Sequence, residues 1–211
     1  MDIIYCDNHL LVLHKPAGIL TQSMPGEPSL EEWGKNWLKE KFQKPGNVFL
    51  TPIHRLDRLA SGLVLSARTS KALRKLEEEK KKGAFRKTYE ALVEGTLSED
   101  EGELEHYLVH EEYYARKGGV TESGSKLCRL RYRVVERMGG ITRVSIDLET
   151  GRYHQIRAQF SLMGHPIVGD QKYGAKKEYK PQAIALCHVR MEIFHPILKQ
   201  KITFSVDHTK T

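Results

Sequence analysis

One stretch of the chain concentrates groups able to do covalent chemistry: His54-Arg55-Leu56-Asp57-Arg58-Leu59-Ala60-Ser61-Gly62. It sets a single carboxylate between two arginines and ends on a glycine before an apolar run. Guanidinium groups beside a carboxylate hold it ionised, as a nucleophile requires. A surface loop of solvated ion pairs has the same composition. A second stretch runs Thr150-Gly151-Arg152-Tyr153-His154-Gln155-Ile156-Arg157 and is followed by Gly164 to Gly174. There His154, Gln155 and Arg157 fall in the first turns of an expected helix, from which polar side chains can enter a cleft. A capped amphipathic helix followed by a glycine-rich turn gives the same pattern. His106 and His110, four apart with Glu103, Glu105 and Glu111 nearby, mimic a metal pair on a helix, but no third ligand accompanies them and no metal is expected.

These groups need a scaffold. Ile3-Ile4-Tyr5 and His9–Lys15 read as two strands around an Asp7-Asn8 turn, and Pro16-Ala17-Gly18 ends the second. Ser29 caps a helix to about Phe42, with Trp33, Trp37 and Leu38 facing the core. Leu63-Val64-Leu65 is a short buried strand. Thr69 or Ser70 caps a helix with Ala72, Leu73 and Leu76 inward, stopped by Gly83. Thr88–Val93 is a strand. Leu127–Val135 and Thr142–Leu148 form a hairpin across Gly139-Gly140. Tyr153–Met163 is a helix with Ile156, Phe160 and Met163 on one face and Gly164 at its end. Ala183–Phe194 and Lys201–Val206 are two last strands. Strands outnumber helices without a β-α-β rhythm, so the expected class is α+β with a largely antiparallel sheet.

With 211 residues the chain suits a single domain, or two small subdomains sharing one sheet. No apolar run approaches the roughly 18–20 residues of a membrane span. The N-terminus lacks a basic segment followed by an apolar one, so a cytoplasmic location is expected. Cys6, Cys128 and Cys187 are scattered and read as reduced thiols. Lys and Arg number 34 against 27 Asp and Glu, a net +7 that favours a polyanion partner. The basic residues cluster twice: Arg68, Lys71, Arg74 and Lys75 through Lys87, and Arg116 through Arg133. In the second cluster Arg129, Arg131 and Arg133 alternate along an expected strand and share one face.

In combination these motifs resemble the RluA family of pseudouridine synthases. His54–Leu63 is similar to the family's H-R-L-D-x-x-T-S-G-[LV], with Ala60 where Thr is usual. Lys87–Gly95 resembles K-x-Y-x-A-L-V-x-G. Thr150–Arg157 and Gly164–Gly174 resemble T-G-R-x-H-Q-I-R and G-H-P-I-x-G-D-x-x-Y-G. Leu11–Gly18 resembles v-x-N-K-P-x-G, with His14 in place of Asn. The similarity runs in order from about residue 3 to 206. Tyr153 stands where Thr or Ser is common, and Ala158-Gln159-Phe160 replaces V-H-L. The S4-like RNA-binding domain that precedes many relatives has no counterpart here, so RNA recognition is expected to fall on the catalytic domain.

The resemblance implies a pseudouridine synthase fold, a mixed and largely antiparallel sheet flanked by helices and loops around a catalytic cleft. It implies an isomerase that needs no cofactor, acts on ribosomal or transfer RNA and works as a monomer. Asp57 is then the catalytic carboxylate, Arg157 its ion-pair partner, and Tyr89 the residue that stacks on uracil and serves proton transfer at C5. Leu186 matches a pocket-wall leucine, and Arg55 holds the flipped nucleotide state. His154 and Gln155 are expected to bind substrate. Arg129, Arg131, Arg133, Lys71, Arg74 and Lys75 are expected to contact phosphates, which supply affinity without sequence information. Two other classes remain open: a catalytically idle RNA-binding domain, and a glycoside hydrolase pairing Asp57 with Asp170. Asp170, following Gly169, reads more simply as the brace of a turn.

Overall fold

A computed structural model describes residues 1–207. The chain forms two compact units. One comprises Met1–Arg86 and His188 onward, the other Lys87–Cys187.

The first unit opens with the antiparallel pair β1 (Asp2–Cys6) and β2 (Leu10–Lys15), followed by α1 (Leu30–Lys41), β3 (Thr51–Pro52), β4 (Ser61–Ala67) and α2 (Ser70–Lys81). β2 pairs antiparallel with β4 from Leu10↔Ala67 to Lys15↔Gly62. The unbroken apolar runs Leu10–Leu13 and Leu63–Leu65 are buried throughout, which requires cover on both faces. Alternation assigns the covers. Leu11 and Leu13 meet α1, where a Cβ on Gly34 would come 3.5 and 3.3 Å from them and 2.7 Å from Leu50. Leu10 and Val12 share a core cluster with Ala72 and Leu76 of α2. Ser29 and Thr69 cap the two helices by accepting from Glu32 N–H and Ala72 N–H. The expected inward face of α1 is corrected. Leu30, Gly34 and Leu38 are buried, whereas Trp33 and Trp37 are only half-buried. A glycine one turn below Leu38 lets the backbone approach the sheet, and the two indoles flank that contact.

The second unit carries β5 (Arg86–Glu94), β6 (Glu101–His110), β7 (Ala115–Lys117), β8 (Lys126–Met138), β9 (Ile141–Leu148) and α3 (Gln155–Leu162). Its strands run in the spatial order β5-β9-β8-β6-β7 with antiparallel neighbours. The hairpin expected across Gly139-Gly140 is β8–β9. β6 is a strand through His106 and His110, not a helix. Its acidic sequence hides an alternation in which Leu104 and Leu108 are buried and Glu101, Glu103 and Glu105 are exposed. α3 begins two residues later than expected, because His154 takes a left-handed φ of 50°. A 3-10 turn follows at Gln171–Tyr173.

β10 (Leu186–Phe194) leads the chain back into the first unit, where β11 (Lys201–Ser205) pairs with it antiparallel. The strand begins three residues later than the alternation from Ala183 suggests. At Gly62 the fold leaves no room for a side chain: φ is +117°, and a Cβ would lie 2.4 Å from the His188 backbone. Gly62→Ala is therefore expected to lower the unfolding free energy by about 3 kcal/mol or more, from strain and overpacking together. Urea denaturation measures it, and a loss under about 1 kcal/mol would mean that the His188 backbone yields.

Candidate active site

In the first unit the residues around Asp57 are held by backbone bonds to the segment Lys15–Thr21. Leu56 N–H donates to Thr21 Oγ1 and the Thr21 hydroxyl donates to Leu56 C=O, both at 3.1 Å. Arg58 C=O accepts from Gly18 N–H at 2.8 Å and from Lys15 Nζ at 3.2 Å. Ala60 N–H closes the turn on Asp57 C=O. Upstream, His54 Nε2 accepts from Leu65 N–H at 3.2 Å, tying the loop to β4. Asp57 is thus half-buried on a turn whose two neighbours are fixed.

The two arginines of this loop reach the surface. Arg55 is exposed, and Arg58 bonds Gly18 C=O and pairs with Glu27 at 3.2 Å. A buried cation of this unit, Lys15, interacts electrostatically with Asp57. Its ammonium also donates to Pro16 C=O and Ile19 C=O, at 2.9 and 3.0 Å. Burial pushes the Lys15 pKa down to about 8, against an opposing pull from Asp57. Sequence reasoning gave Lys15 no role. Its signal was a lysine at the end of an apolar strand directly before Pro16-Ala17-Gly18.

In the second unit Arg157, on the first turn of α3, is 3 % exposed and Asp170 1 %. Arg157 Nε and Nη2 donate to the two carboxylate oxygens of Asp170 at 2.6 and 2.8 Å. Nη1 lies 2.8 Å from His154 Nε2, and His154 Nδ1 lies 3.0 Å from the Tyr173 hydroxyl. Tyr173 also accepts from Ala115 N–H at 2.7 Å, and its ring faces the guanidinium 4.9 Å away. Burial and then the Arg157 charge push His154 down to about 3, so it is neutral at physiological pH. Tyr153 stacks on His154, with centroids 3.9 Å apart, and on His110 at 4.0 Å. Tyr89 and Leu186 are 6 % and 5 % exposed, on β5 and at the start of β10.

The two residues beside Arg157 that are expected to contact substrate have partners within the protein. Gln155 Oε1 accepts from Thr150 Oγ1 and Arg152 N–H, and its amide nitrogen donates to Arg129 C=O and Gln159 Oε1. Both ends serve the protein, so Gln155 braces the loop before α3. His154 bonds Arg157 and Tyr173. Asp170, expected only to brace a turn, does so through its backbone while its carboxylate holds Arg157.

The expected phosphate contacts divide. Arg129, Arg131 and Arg133 do share an exposed face of β8, but register sets Glu105, Glu103 and Glu101 opposite them. Arg129 pairs with Glu105 at 2.6 Å, and Arg131 lies 3.4 Å from both Glu103 and Glu149. Lys75 donates to Pro196 C=O. Lys71 and Arg74 are exposed on α2 with no ion-pair partner among the described residues.

The pKa of Lys15 makes a stability prediction. Between about pH 8 and 10.5 the unfolded chain holds a proton that folded Lys15 has released, so wild-type stability rises with pH there. Relative to Lys15→Met, the wild type is expected to gain about 3 kcal/mol across that window. Denaturant melts of both proteins at pH 7.5 and 10.5 check it, and parallel curves would contradict it.

Residues 9–162 match the family described as RNA pseudouridylate synthase. The chain is 37% identical over 210 residues to the dual-specificity RNA pseudouridine synthase RluA of Pasteurella multocida, covering 97% of this chain and 92% of that one. It is 34% identical over 184 residues to the ribosomal large subunit pseudouridine synthase D of Pseudomonas aeruginosa, covering 87% of this chain and 56% of the other. Its fold is similar to that of human RNA pseudouridylate synthase domain containing 4, with a TM-score of 0.81, 17% identity, and coverage of 97% and 87% of the two chains. With the Asp57 loop, the Tyr89 strand and the Arg157 helix built as described, and with relatives this similar along nearly its whole length, the chain belongs to the RNA pseudouridylate synthase family.

Proposed function

We propose that this protein isomerises uridine to pseudouridine in ribosomal or transfer RNA, with Asp57 as its catalytic carboxylate. The reaction breaks the N1–C1′ bond, turns the uracil and joins C5 to C1′. C5 loses a proton and N1 regains one, so nothing is oxidised and no atoms are gained. The observation that carries this reading is the fixed turn around Asp57 in a chain of this family, pinned by Thr21 on one side and by Gly18 and Lys15 on the other.

Tyr89 stacks on the uracil and serves the proton transfer at C5, and Leu186 walls the base. The target uridine must leave its stack, at a cost of about a few kcal/mol. The exposure of Arg55 supports its role in holding that flipped state. Arg157 supplies the guanidinium that the reaction requires. A hydrolase built on Asp57 and Asp170 is disfavoured, because both Asp170 oxygens accept from Arg157.

Asp57→Asn is expected to lower pseudouridine formation by about 1,000-fold or more while leaving the RNA Kd within about three-fold of wild type. Mapping pseudouridine in RNA incubated with each protein measures the first, and filter binding the second. Substantial turnover by the variant would remove Asp57 from the mechanism. Release of free uracil by the wild type would make the protein a hydrolase.

For phosphate contacts the geometry favours Lys71 and Arg74 over the paired arginines of β8. Neutralising Lys71 and Arg74 is expected to reduce the slope of log K against log salt by about 1.5. Neutralising Arg129 and Arg131 should change it by less than about 0.7, one single-strand contact. Titrations between 50 and 200 mM salt decide, at about 25 °C. The opposite order would place the RNA on the β8 face.

A further inference from the structure

Two short segments supply the surroundings of Arg157, and each does so with residues three apart. His154 and Arg157 stand at the first turn of α3, and Asp170 and Tyr173 span the 3-10 turn. The two pairs interlock. Asp170 takes two N–H groups of the guanidinium, His154 takes a third, and the Tyr173 ring covers one face.

The protons in this network can be assigned from geometry. A guanidinium has five N–H donors and no acceptor, and it keeps its charge in proteins. At 2.8 Å from Arg157 Nη1, His154 Nε2 is therefore the acceptor and carries no proton. The ring proton lies on Nδ1 and is donated to the Tyr173 oxygen. The imidazole is thus held neutral, in one tautomer, between a donor and an acceptor. Protonating it would turn Nε2 into a donor aimed at a donor. The left-handed backbone at His154, with φ 50°, is the conformation that turns its ring back onto Arg157 instead of continuing the helix.

The charges can be assigned too. Asp170 contributes one negative charge in bidentate contact with the one positive charge of Arg157, and both side chains are essentially inaccessible. At a third group Asp170 offsets part of the guanidinium's field. What the pair still offers is the direction of the guanidinium N–H bonds.

We infer that Asp170, His154 and Tyr173 are positioning residues that fix Arg157 as a directed N–H donor, so that Arg157 serves the isomerisation by hydrogen-bond geometry and not by net charge. This rests on the isomerase function proposed above.

Arg157→Lys separates the two roles, because it keeps a cation beside Asp170 and removes the fork. It is expected to lower kcat by about 100-fold or more, as is Arg157→Ala, with KM within about three-fold. An Arg157→Lys enzyme retaining more than about a tenth of wild-type kcat would show that charge suffices. Should Arg157→Lys fail to fold, Tyr173→Phe carries the test, since it keeps the ring and removes the hydroxyl that holds His154 Nδ1 and accepts from Ala115 N–H. It is expected to lower kcat by about ten-fold at unchanged KM, and an unchanged kcat overturns the inference. Nitrogen-15 NMR of labelled histidine gives a readout independent of turnover. Wild-type His154 should be the neutral Nδ1–H tautomer throughout pH 5 to 8, a range set by its pKa of about 3. An imidazolium or an Nε2–H signal overturns the network whatever the activity. A wild-type protein that forms no pseudouridine overturns the isomerase function instead, and the NMR result then judges the network alone.

Discussion

The second unit is organised by the need to satisfy one buried guanidinium. α3 is only eight residues long, too short to hold itself together in water. It survives because Gln155 through Phe160 are all buried. That burial carries three polar side chains inside: Gln155, Arg157 and Gln159. Each must find partners or cost the helix its stability. Gln155 finds them in the Thr150–Arg152 loop and the Arg129 carbonyl. Gln159 donates to the Leu104 and Cys128 carbonyls on β6 and β8. Arg157 finds Asp170 and His154. Removing one partner of such a buried pair costs about 3–5 kcal/mol, comparable to much of a small domain's total stability. The segments around Thr150–Arg157 and Gly164–Gly174 therefore constrain each other.

Among the described residues each unit buries one lysine or arginine, Lys15 in the first and Arg157 in the second, and they are compensated differently. Arg157 is neutralised by a carboxylate in contact with it. Lys15 is surrounded by three backbone carbonyls, which are dipoles and not charges. Its positive charge is solvated locally but not cancelled, and it is felt at Asp57. A compact ammonium suits a cage of carbonyls, whereas a planar fork suits a carboxylate. The consequence is a division of labour. The Lys15 ammonium lies within electrostatic reach of Asp57 and holds its loop through the Arg58 carbonyl, while the Arg157 fork is taken up by Asp170 and His154.

Much of this was legible in the sequence, and the remainder was not for definite physical reasons. The caps Ser29 and Thr69, the apolar strands Leu10–Leu13 and Leu63–Leu65, and the β8–β9 hairpin are local signals, set by neighbours within a few residues. β6 was missed because its exposed face carries Glu101, Glu103 and Glu105, which disguise the alternation of Leu104 and Leu108. The tryptophans of α1 misled because size suggests burial, whereas Gly34 decided which face could approach the sheet. His154 and Gln155 looked like substrate contacts because polar residues at the start of a helix commonly face a cleft. Their partners Tyr173 and Arg129 lie 19 and 26 residues away, and spacing along the chain gives no sign of them.

The same limit explains the arginines of β8. Counted along the chain, Arg129, Arg131 and Arg133 form a basic stripe with little acid near it. In an antiparallel sheet, however, the electrostatic neighbours of a residue are set by register. The acid opposite Arg129 is Glu105, 24 residues away in sequence. Cross-strand opposite charges of this kind contribute about 0.2–1 kcal/mol each to the sheet, and a cation so engaged must be drawn from its partner before it can neutralise a phosphate. Elsewhere Lys75 and Lys80 spend their ammonium groups on the Pro196 and Ile53 carbonyls, and Lys15 is buried. The net +7 thus overstates the charge that a polyanion can meet. Affinity for RNA must then rest on fewer cations than composition suggests.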